Sequence, residues 1–204
     1  MVDRLALGDK IIESALHFAG LYELKNNTLW ADPAVHRDVL ADEFLGFLKT
    51  AGWYAPLPYC AALCKAAWLR GYAACGAPGN FLDSLRKRLT LSVMQDFENF
   101  QSQVVQTKTP LPGALGLYQL GSEFHGHAVI VIKSVGGMMA TIEGNTSPQP
   151  GTAEHDREGD GVYKRTRTID FTPKRSGLWL RGFLNPMPWP EVAVRDSEAE
   201  PETK

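Results

Sequence analysis

The 204-residue sequence has no uninterrupted apolar run near the roughly 20 residues that a transmembrane helix requires. It has no excess of positive charge either, because 21 Lys and Arg residues stand against 23 Asp and Glu residues, giving a net charge of −2. These two absences argue against a membrane span and against a nucleic-acid-binding protein. The first residues carry charges where a secretory signal peptide has an apolar stretch. We therefore expect synthesis in the cytoplasm without a signal peptide.

Cysteine is also scarce, with Cys60, Cys64 and Cys75 as the three residues of this type. An odd number this small does not indicate a disulfide framework. No second pair of cysteines or histidines lies at the spacing of a zinc site, and the acidic residues of Asp156–Asp160 lack the regular spacing of a calcium loop. We therefore expect neither a metal nor another cofactor. The open question is whether one cysteine is a nucleophile.

Apolar residues make up 44% of the chain, which is enough for a sizeable core, and the length favours one domain. Up to about residue 103 the apolar residues recur at helical spacing, whereas the later ones alternate with a period of two. Helices followed by antiparallel strands predict an α+β fold. The predicted strands, separated by turns rich in glycine and proline, are Leu115–Gln119, Ala128–Lys133, Met138–Gly144, Gly161–Thr168 and Leu178–Leu184.

The chain divides into three predicted segments. Residues 1–50 form an N-terminal helical segment that is integral to the domain, residues 51–188 form its core, and residues 189–204 form a disordered acidic tail with almost nothing apolar. In the first segment, Asp32 and Pro33 predict the start of a helix that Gly52 can close. The later predicted helices cover Tyr59–Ala74, Asn80–Leu91 and Val93–Phe100.

Cys60 follows two prolines and is predicted to lie in the first turn of a helix. The helix dipole and the backbone N–H groups there favour a thiolate, and the same N–H groups can bind a developing oxyanion. The alternative is that Cys60 is a small core residue, which is the common role of an isolated cysteine. Cys64 lies one turn later and Cys75 near the helix end, where the dipole opposes a thiolate, so we interpret both as bystanders.

Three polar side chains could complete a site with this cysteine. His127 begins a strand that is apolar on both faces, and at this position its side chain can still reach a cleft. His125, two residues earlier and therefore on the same face, is the alternative candidate for the histidine of the site. Alternation places Glu143 and Asn145 on one face of the next strand, within side-chain reach of His127. Each residue alone is more often structural. Together, a cysteine, a histidine and a polar group that orients the histidine follow the logic of thiol hydrolases.

Six segments in this order resemble the motifs of CHAP domains, the cysteine, histidine-dependent amidohydrolases/peptidases related to NlpC-like and papain-like hydrolases. The resemblance extends from about residue 50 to residue 186. It departs from the family pattern where Tyr59 replaces a tryptophan and Ala114 replaces an aspartate. The segments are Pro58–Leu63, Pro112–Leu115, Gly126–Val131, Thr141–Ser147 with its Glu-Gly-Asn, Asp160–Arg167 and Gly182–Pro186.

The resemblance implies a papain-like or NlpC-like fold, with N-terminal helices packed on an antiparallel sheet of five or six strands. It also implies cleavage of peptidoglycan, by an N-acetylmuramoyl-L-alanine amidase or an endopeptidase activity. No metal is needed, although some members of the family bind calcium. Carried over by position, the implied site consists of the nucleophile Cys60, the general base His127, the orienting Glu143, the further polar residue Asn145 and an oxyanion donor in Tyr54 or Tyr59.

The strands near the C-terminus are rich in basic residues. Between Gly161 and Gly182 there are six bases and one acid, Asp170. One interpretation is a basic sheet face that attracts an anionic wall polymer. The other is that Lys and Arg on solvated strand edges prevent aggregation. The sequence leaves both interpretations open. The six bases are Lys164, Arg165, Arg167, Lys174, Arg175 and Arg181.

A wall hydrolase without a signal peptide needs another route to the cell wall or periplasm. A phage holin would release it as an endolysin, which we prefer, or a secretion system would deliver it as an antibacterial effector. We expect a monomer. A cysteine peptidase or isopeptidase acting on a protein substrate, and a binding module with a decayed site, are the remaining alternatives.

Overall fold

The computed structural model describes residues 3–22, 39–147, 159 and 161–189. Within these ranges the chain forms five helices and then six strands. The helices are α1 (Arg4–Leu16), α2 (Val39–Thr50), α3 (Cys60–Ala74), α4 (Gly79–Arg88) and α5 (Val93–Asn99). The strands are β1 (Val104–Val105), β2 (Leu115–Leu120), β3 (Gly126–Val135), β4 (Met138–Thr146), β5 (Gly161–Thr168) and β6 (Leu178–Leu184).

The strands form one antiparallel sheet in the order β1-β6-β2-β3-β4-β5. The predicted α+β class is therefore confirmed. The predicted bounds of β5 and β6 agree with the structure, and those of β2, β3 and β4 fall short by one to a few residues. Strand β1 was not predicted, because two residues are too few to show an alternating pattern.

Side chains on the two faces of the sheet belong to two separate cores. On the helical face, Leu117, Ala128, Ile130 and Ile142 pack with the apolar side chains of the helices. On the opposite face, which we call the second face, the core is smaller and is covered by the connection between β5 and β6. Its members are Ala114, Tyr118, Val129, Val131, Met139, Ile169, Leu180 and Phe183, with Phe171 packed against them.

Helix α3 lies at the centre of the helical layer. It is rich in alanine and other apolar residues on all sides, and 12 of its 15 residues are buried, as expected of a helix with neighbours all round it. The indole Nε1 of Trp68 donates to the Gly113 carbonyl at 2.9 Å. The Tyr72 hydroxyl donates to the Met187 carbonyl at 2.9 Å and accepts from the Met187 N–H at 2.7 Å. These bonds fix the position of α3 relative to the sheet and the C-terminal segment.

Three features bear on the predicted segments. Gly52, predicted to close the second helix, follows α2 with a φ of 85°, which suits glycine. Trp189, which the prediction assigned to the tail, instead packs against Tyr72 and Phe81 with ring centroids 5.7 and 5.9 Å apart. Its indole has apolar partners to bury against, so the packed chain reaches at least residue 189. The rest of the predicted tail and the predicted helix start at residues 32–33 lie outside the described residues.

Of the helices that the structure describes, none combines the length and the apolar character needed to cross a membrane.

Helices α1 and α3 approach each other most closely at Gly71. A Cβ atom at this position would lie 2.6 Å from the Ile11 Cγ1 atom and 2.9 Å from the Ile11 backbone nitrogen. Real Cβ contacts are not this short, so the close approach of the two backbones requires glycine here.

We predict that Gly71→Ala lowers the free energy of unfolding by about 1–3 kcal/mol, because the added methyl group meets backbone atoms that cannot move independently. Gly46→Ala is the matched control, since Gly46 lies exposed in α2 and a methyl group added there would have no neighbouring atom within 4 Å. It should raise stability by up to about 1 kcal/mol through helix propensity. Urea unfolding measures both changes, and equal effects of the two substitutions would contradict the close-packing argument.

Candidate active site

Cys60 is the first residue of α3, and its side chain lies at the start of β3 with 7% of the residue exposed. The side chain of Tyr59, the residue before the helix, makes no capping hydrogen bond to the backbone N–H groups of the first turn. The backbone N–H groups of Ala61 and Ala128 both lower the pKa of the Cys60 thiol. The sulfur is therefore surrounded by donors that stabilise a thiolate.

A glycine on the sheet allows α3 to come this close. Gly144 of β4 faces the helical layer, and a Cβ atom there would lie 3.0 Å from Leu63 and 3.1 Å from Tyr59. Because a larger residue would push the helix away, the glycine between Glu143 and Asn145 has a packing role next to the site.

His127 is the second residue of β3, and its ring points to the second face, where its interaction with Cys60 raises the pKa of the ring. The Nε2 atom lies 3.0 Å from Oε2 of Glu143. Since Glu143 occupies Nε2, Nδ1 is the ring nitrogen left for the thiol. The structure thus brings together Cys60, His127 and Glu143, which the sequence predicted as nucleophile, base and orienting residue.

Glu143 has no exposed surface, and each of its oxygens has two partners. Oε1 accepts from Thr141 Oγ1 and from Arg167 Nε, both at 2.6 Å. Oε2 accepts from Arg167 Nη2 at 2.6 Å in addition to its contact with His127. A carboxylate can accept about four such bonds, so every acceptor position of Glu143 is used.

Burial and pairing act in opposite directions on these groups, and pairing dominates. Burial raises the pKa of Cys60, but the hydrogen bond and positive charge of His127 outweigh it, so the pKa is lowered overall. Burial lowers the pKa of His127, yet its bonds to Cys60 and Glu143 raise it to about 9. Burial would likewise raise the pKa of Glu143, but Arg167 and His127 hold it well below its usual range. All three shifts act in the direction of a thiolate, an imidazolium and a carboxylate.

Cys60 and His127 lie in a cleft of about 620 Å³. Asn145 lines this cleft, and its backbone is in the left-handed region with a φ of 53°. The opposite wall is formed by the turn between β2 and β3, including Glu123 and His125. The site is open to a substrate on one side and closed to water on the side of Glu143.

The remaining candidates are one histidine and two tyrosines. His125 lines the cleft, but its side chain is 80% exposed and its Nδ1 lies 3.6 Å from Oε2 of Glu123. Tyr54 is 65% exposed and is not among the described residues that line the cleft. Tyr59 is fully buried, with its ring edge-on to Phe44. The ring of Tyr59 thus packs in the helical core, and an oxyanion role for Tyr54 or Tyr59 stays a prediction.

The other cysteines do not take part in this arrangement. Cys64 is buried one turn further along α3, and burial together with nearby negative charges raises its pKa well above the usual value. Cys75 is partly buried at the opposite end of α3. Among the described residues, no group of three or more His, Cys, Asp or Glu side chains could hold a metal ion, and the acidic residues Asp156, Glu158 and Asp160 lie outside those residues.

Sequence reasoning missed Arg167, Thr141 and Tyr118 as members of the site. The Arg167 guanidinium lies 5.2 Å from the Tyr118 ring centroid while it binds Glu143. The alternating pattern of β5 could have predicted which face of the sheet Arg167 lies on. It could not have predicted that Arg167 lies beside a carboxylate of the neighbouring strand β4. The basic residues of the C-terminal strands were interpreted either as a surface for an anionic wall polymer or as solvated protection of strand edges. Neither interpretation fits Arg167, which is half-buried and neutralises an internal charge.

Comparisons with protein-family models, with curated proteins and with solved structures gave no match.

We predict that Cys60 reacts with iodoacetamide at mildly acidic pH much faster than Cys64 and Cys75, because its thiolate is stabilised. His127→Ala should remove this difference, since the imidazolium is the main stabilising charge. His125→Ala is the matched control and should leave the labelling rate of Cys60 unchanged. Peptide mass spectrometry after timed labelling measures all three sites. Equal rates for the three cysteines would contradict the assignment of a thiolate to Cys60.

Proposed function

We propose that this chain is a cysteine hydrolase that cleaves amide bonds of peptidoglycan. The observation that carries the proposal is the contact of Cys60, at the start of α3, with a histidine that a buried carboxylate orients. This is the arrangement that a thiol nucleophile needs for amide hydrolysis.

The geometry supports the following sequence of steps. The Cys60 thiolate attacks the carbonyl carbon of the scissile amide, and the oxygen becomes negatively charged in a tetrahedral intermediate. The N–H of Cys60 at the helix start is placed to bind this oxyanion. The His127 imidazolium gives its proton to the leaving amine, which departs and leaves a thioester. The neutral His127 then activates a water molecule that hydrolyses the thioester, and Glu143 keeps the ring in position throughout.

The choice of peptidoglycan rests on the resemblance of the sequence segments to CHAP domains, and a papain-like or NlpC-like arrangement belongs to the same proposal. An N-acetylmuramoyl-L-alanine amidase and a peptidoglycan endopeptidase are both compatible with a cleft that Cys60 and His127 line. We propose action at the cell wall or periplasm after release as a phage or prophage endolysin, with delivery as an antibacterial effector as the alternative. The chain would act as a monomer.

We predict that the purified protein clears peptidoglycan in a zymogram and that Cys60→Ala abolishes the clearing, because no other group can form the thioester. Cys75→Ala is the matched control and should retain full activity, since Cys75 lies at the other end of α3. Mass spectrometry of the released fragments identifies the bond. Clearing by Cys60→Ala would contradict the mechanism, and cleavage of a peptide panel without cleavage of walls would favour a protein substrate.

We predict a bell-shaped dependence of kcat/KM on pH. The alkaline limb should lie near pH 9, because above the pKa of His127 the ring no longer holds the proton that the leaving amine needs. The acid limb should lie below the usual range for a thiol, because the pKa of Cys60 is lowered. Glu143→Gln removes a charge that raises the pKa of His127, so its alkaline limb should move to lower pH. If the alkaline limb of Glu143→Gln does not move, the contact between Glu143 and His127 has no role in catalysis.

A further inference from the structure

Four neighbouring strands each contribute one residue to a row on the second face of the sheet. Tyr118 comes from β2, His127 from β3, Glu143 from β4 and Arg167 from β5. Tyr118 and His127 are directly paired across β2 and β3. Arg167 is paired with Met139, four residues before Glu143, so its side chain extends along the sheet to reach the carboxylate.

The Arg167 guanidinium is held on two sides. Its Nε and Nη2 atoms bind the two oxygens of Glu143 in a forked contact, which fixes the plane of the carboxylate. Its central carbon lies over the Tyr118 ring, 5.2 Å from the ring centroid, in the range of a cation–π contact. The buried Tyr118 hydroxyl has no hydrogen-bond partner among the described residues, so Tyr118 acts on Arg167 through its ring rather than through its oxygen.

A guanidinium differs from other polar groups because it only donates hydrogen bonds and does not lose its proton. Both oxygens of Glu143 must therefore accept from Arg167, and Oε1 also accepts from the Thr141 hydroxyl. Because Arg167 and His127 hold the pKa of Glu143 well below its usual range, the carboxylate carries no proton, and the position that remains on Oε2 can only accept as well. His127 must accordingly carry a proton on Nε2, and Nδ1 of the neutral ring is free to accept the proton of the Cys60 thiol.

We propose that Arg167 is a positioning residue that keeps Glu143 a pure hydrogen-bond acceptor and thereby sets the tautomer of His127 that serves Cys60. Its catalytic meaning rests on the proposed function, but the effect on Cys60 exists with or without a wall substrate. Without Arg167, the carboxyl group of Glu143 would be buried with fewer donors and would tend to hold a proton. A protonated Glu143 would donate to Nε2, move the ring proton to Nδ1 and leave no acceptor for the thiol.

The test measures the rate of Cys60 alkylation against pH, which needs no substrate. Arg167→Gln is expected to move the midpoint of this profile to higher pH by about one unit or more, and to lower kcat by about 10²–10³-fold. Arg167→Lys still only donates, so its midpoint should stay near that of the wild type while kcat falls less. Arg181→Gln is the matched control, because Arg181 lies on β6 between Phe97 and Trp179 and should leave the alkylation profile unchanged.

A double-mutant cycle separates positioning from a general structural effect. If Arg167 acts through Glu143, Arg167→Gln should have almost no further effect on the alkylation profile in a Glu143→Gln background. A shift of the same size in both backgrounds, or no shift in a folded Arg167→Gln protein, overturns the proposal.

The tautomer of His127 provides a test on the wild-type protein, which also decides the matter where Arg167→Gln does not fold. Above about pH 9, where the ring is neutral, ¹⁵N spectra of histidine-labelled protein should show the proton on Nε2. A proton on Nδ1 overturns the proposal. A wild-type protein that fails to cleave walls would remove the proposed function, whereas the alkylation and tautomer results would still decide the role of Arg167.

Discussion

The central constraint of this structure is an ionised carboxylate, Glu143, that is completely buried. A buried charge is costly unless it is paired and fully hydrogen-bonded, and here Arg167, Thr141 and His127 supply all the required donors. The positions of these partners follow from the sheet, because β3, β4 and β5 are adjacent and their side chains share one face. The register of the three strands therefore decides whether the site can exist.

The thiol reaches this charged row from the other layer of the domain. Cys60 belongs to a helix whose apolar residues are buried in the helical core, whereas Glu143 belongs to the second face of the sheet. The two layers meet at the start of β3, where His127 contacts both groups. Gly144 permits this meeting, since a side chain at that position would collide with Leu63 and Tyr59. Close packing of helix on sheet and the chemistry of the site thus depend on the same few residues.

The favoured charge states alternate along the row, with a thiolate, an imidazolium, a carboxylate and a guanidinium in order. Burial opposes ionisation of each group, but a neighbour of opposite sign moves the pKa of each group towards its charged form. The arrangement is neutral as a whole and strongly polarised towards the cleft. A nucleophile at one end and a proton on the adjacent ring are what amide hydrolysis requires, so the electrostatics and the proposed activity agree.

The sequence by itself determined most of the elements and the candidate site residues that they carry. Pro56 and Pro58, which cannot lie inside a helix, predicted that a helix begins beside Cys60. The alternation of apolar and polar residues predicted β5 and β6 with their correct ends and placed Glu143 on one face of its strand. Such local signals follow from backbone geometry and therefore need no knowledge of neighbours. Only the tertiary structure decided that Arg167 binds Glu143 and that Tyr59 points into the core. Those facts depend on which strands and helices come to lie side by side, and side-chain periodicity specifies a face but not the partner that it meets.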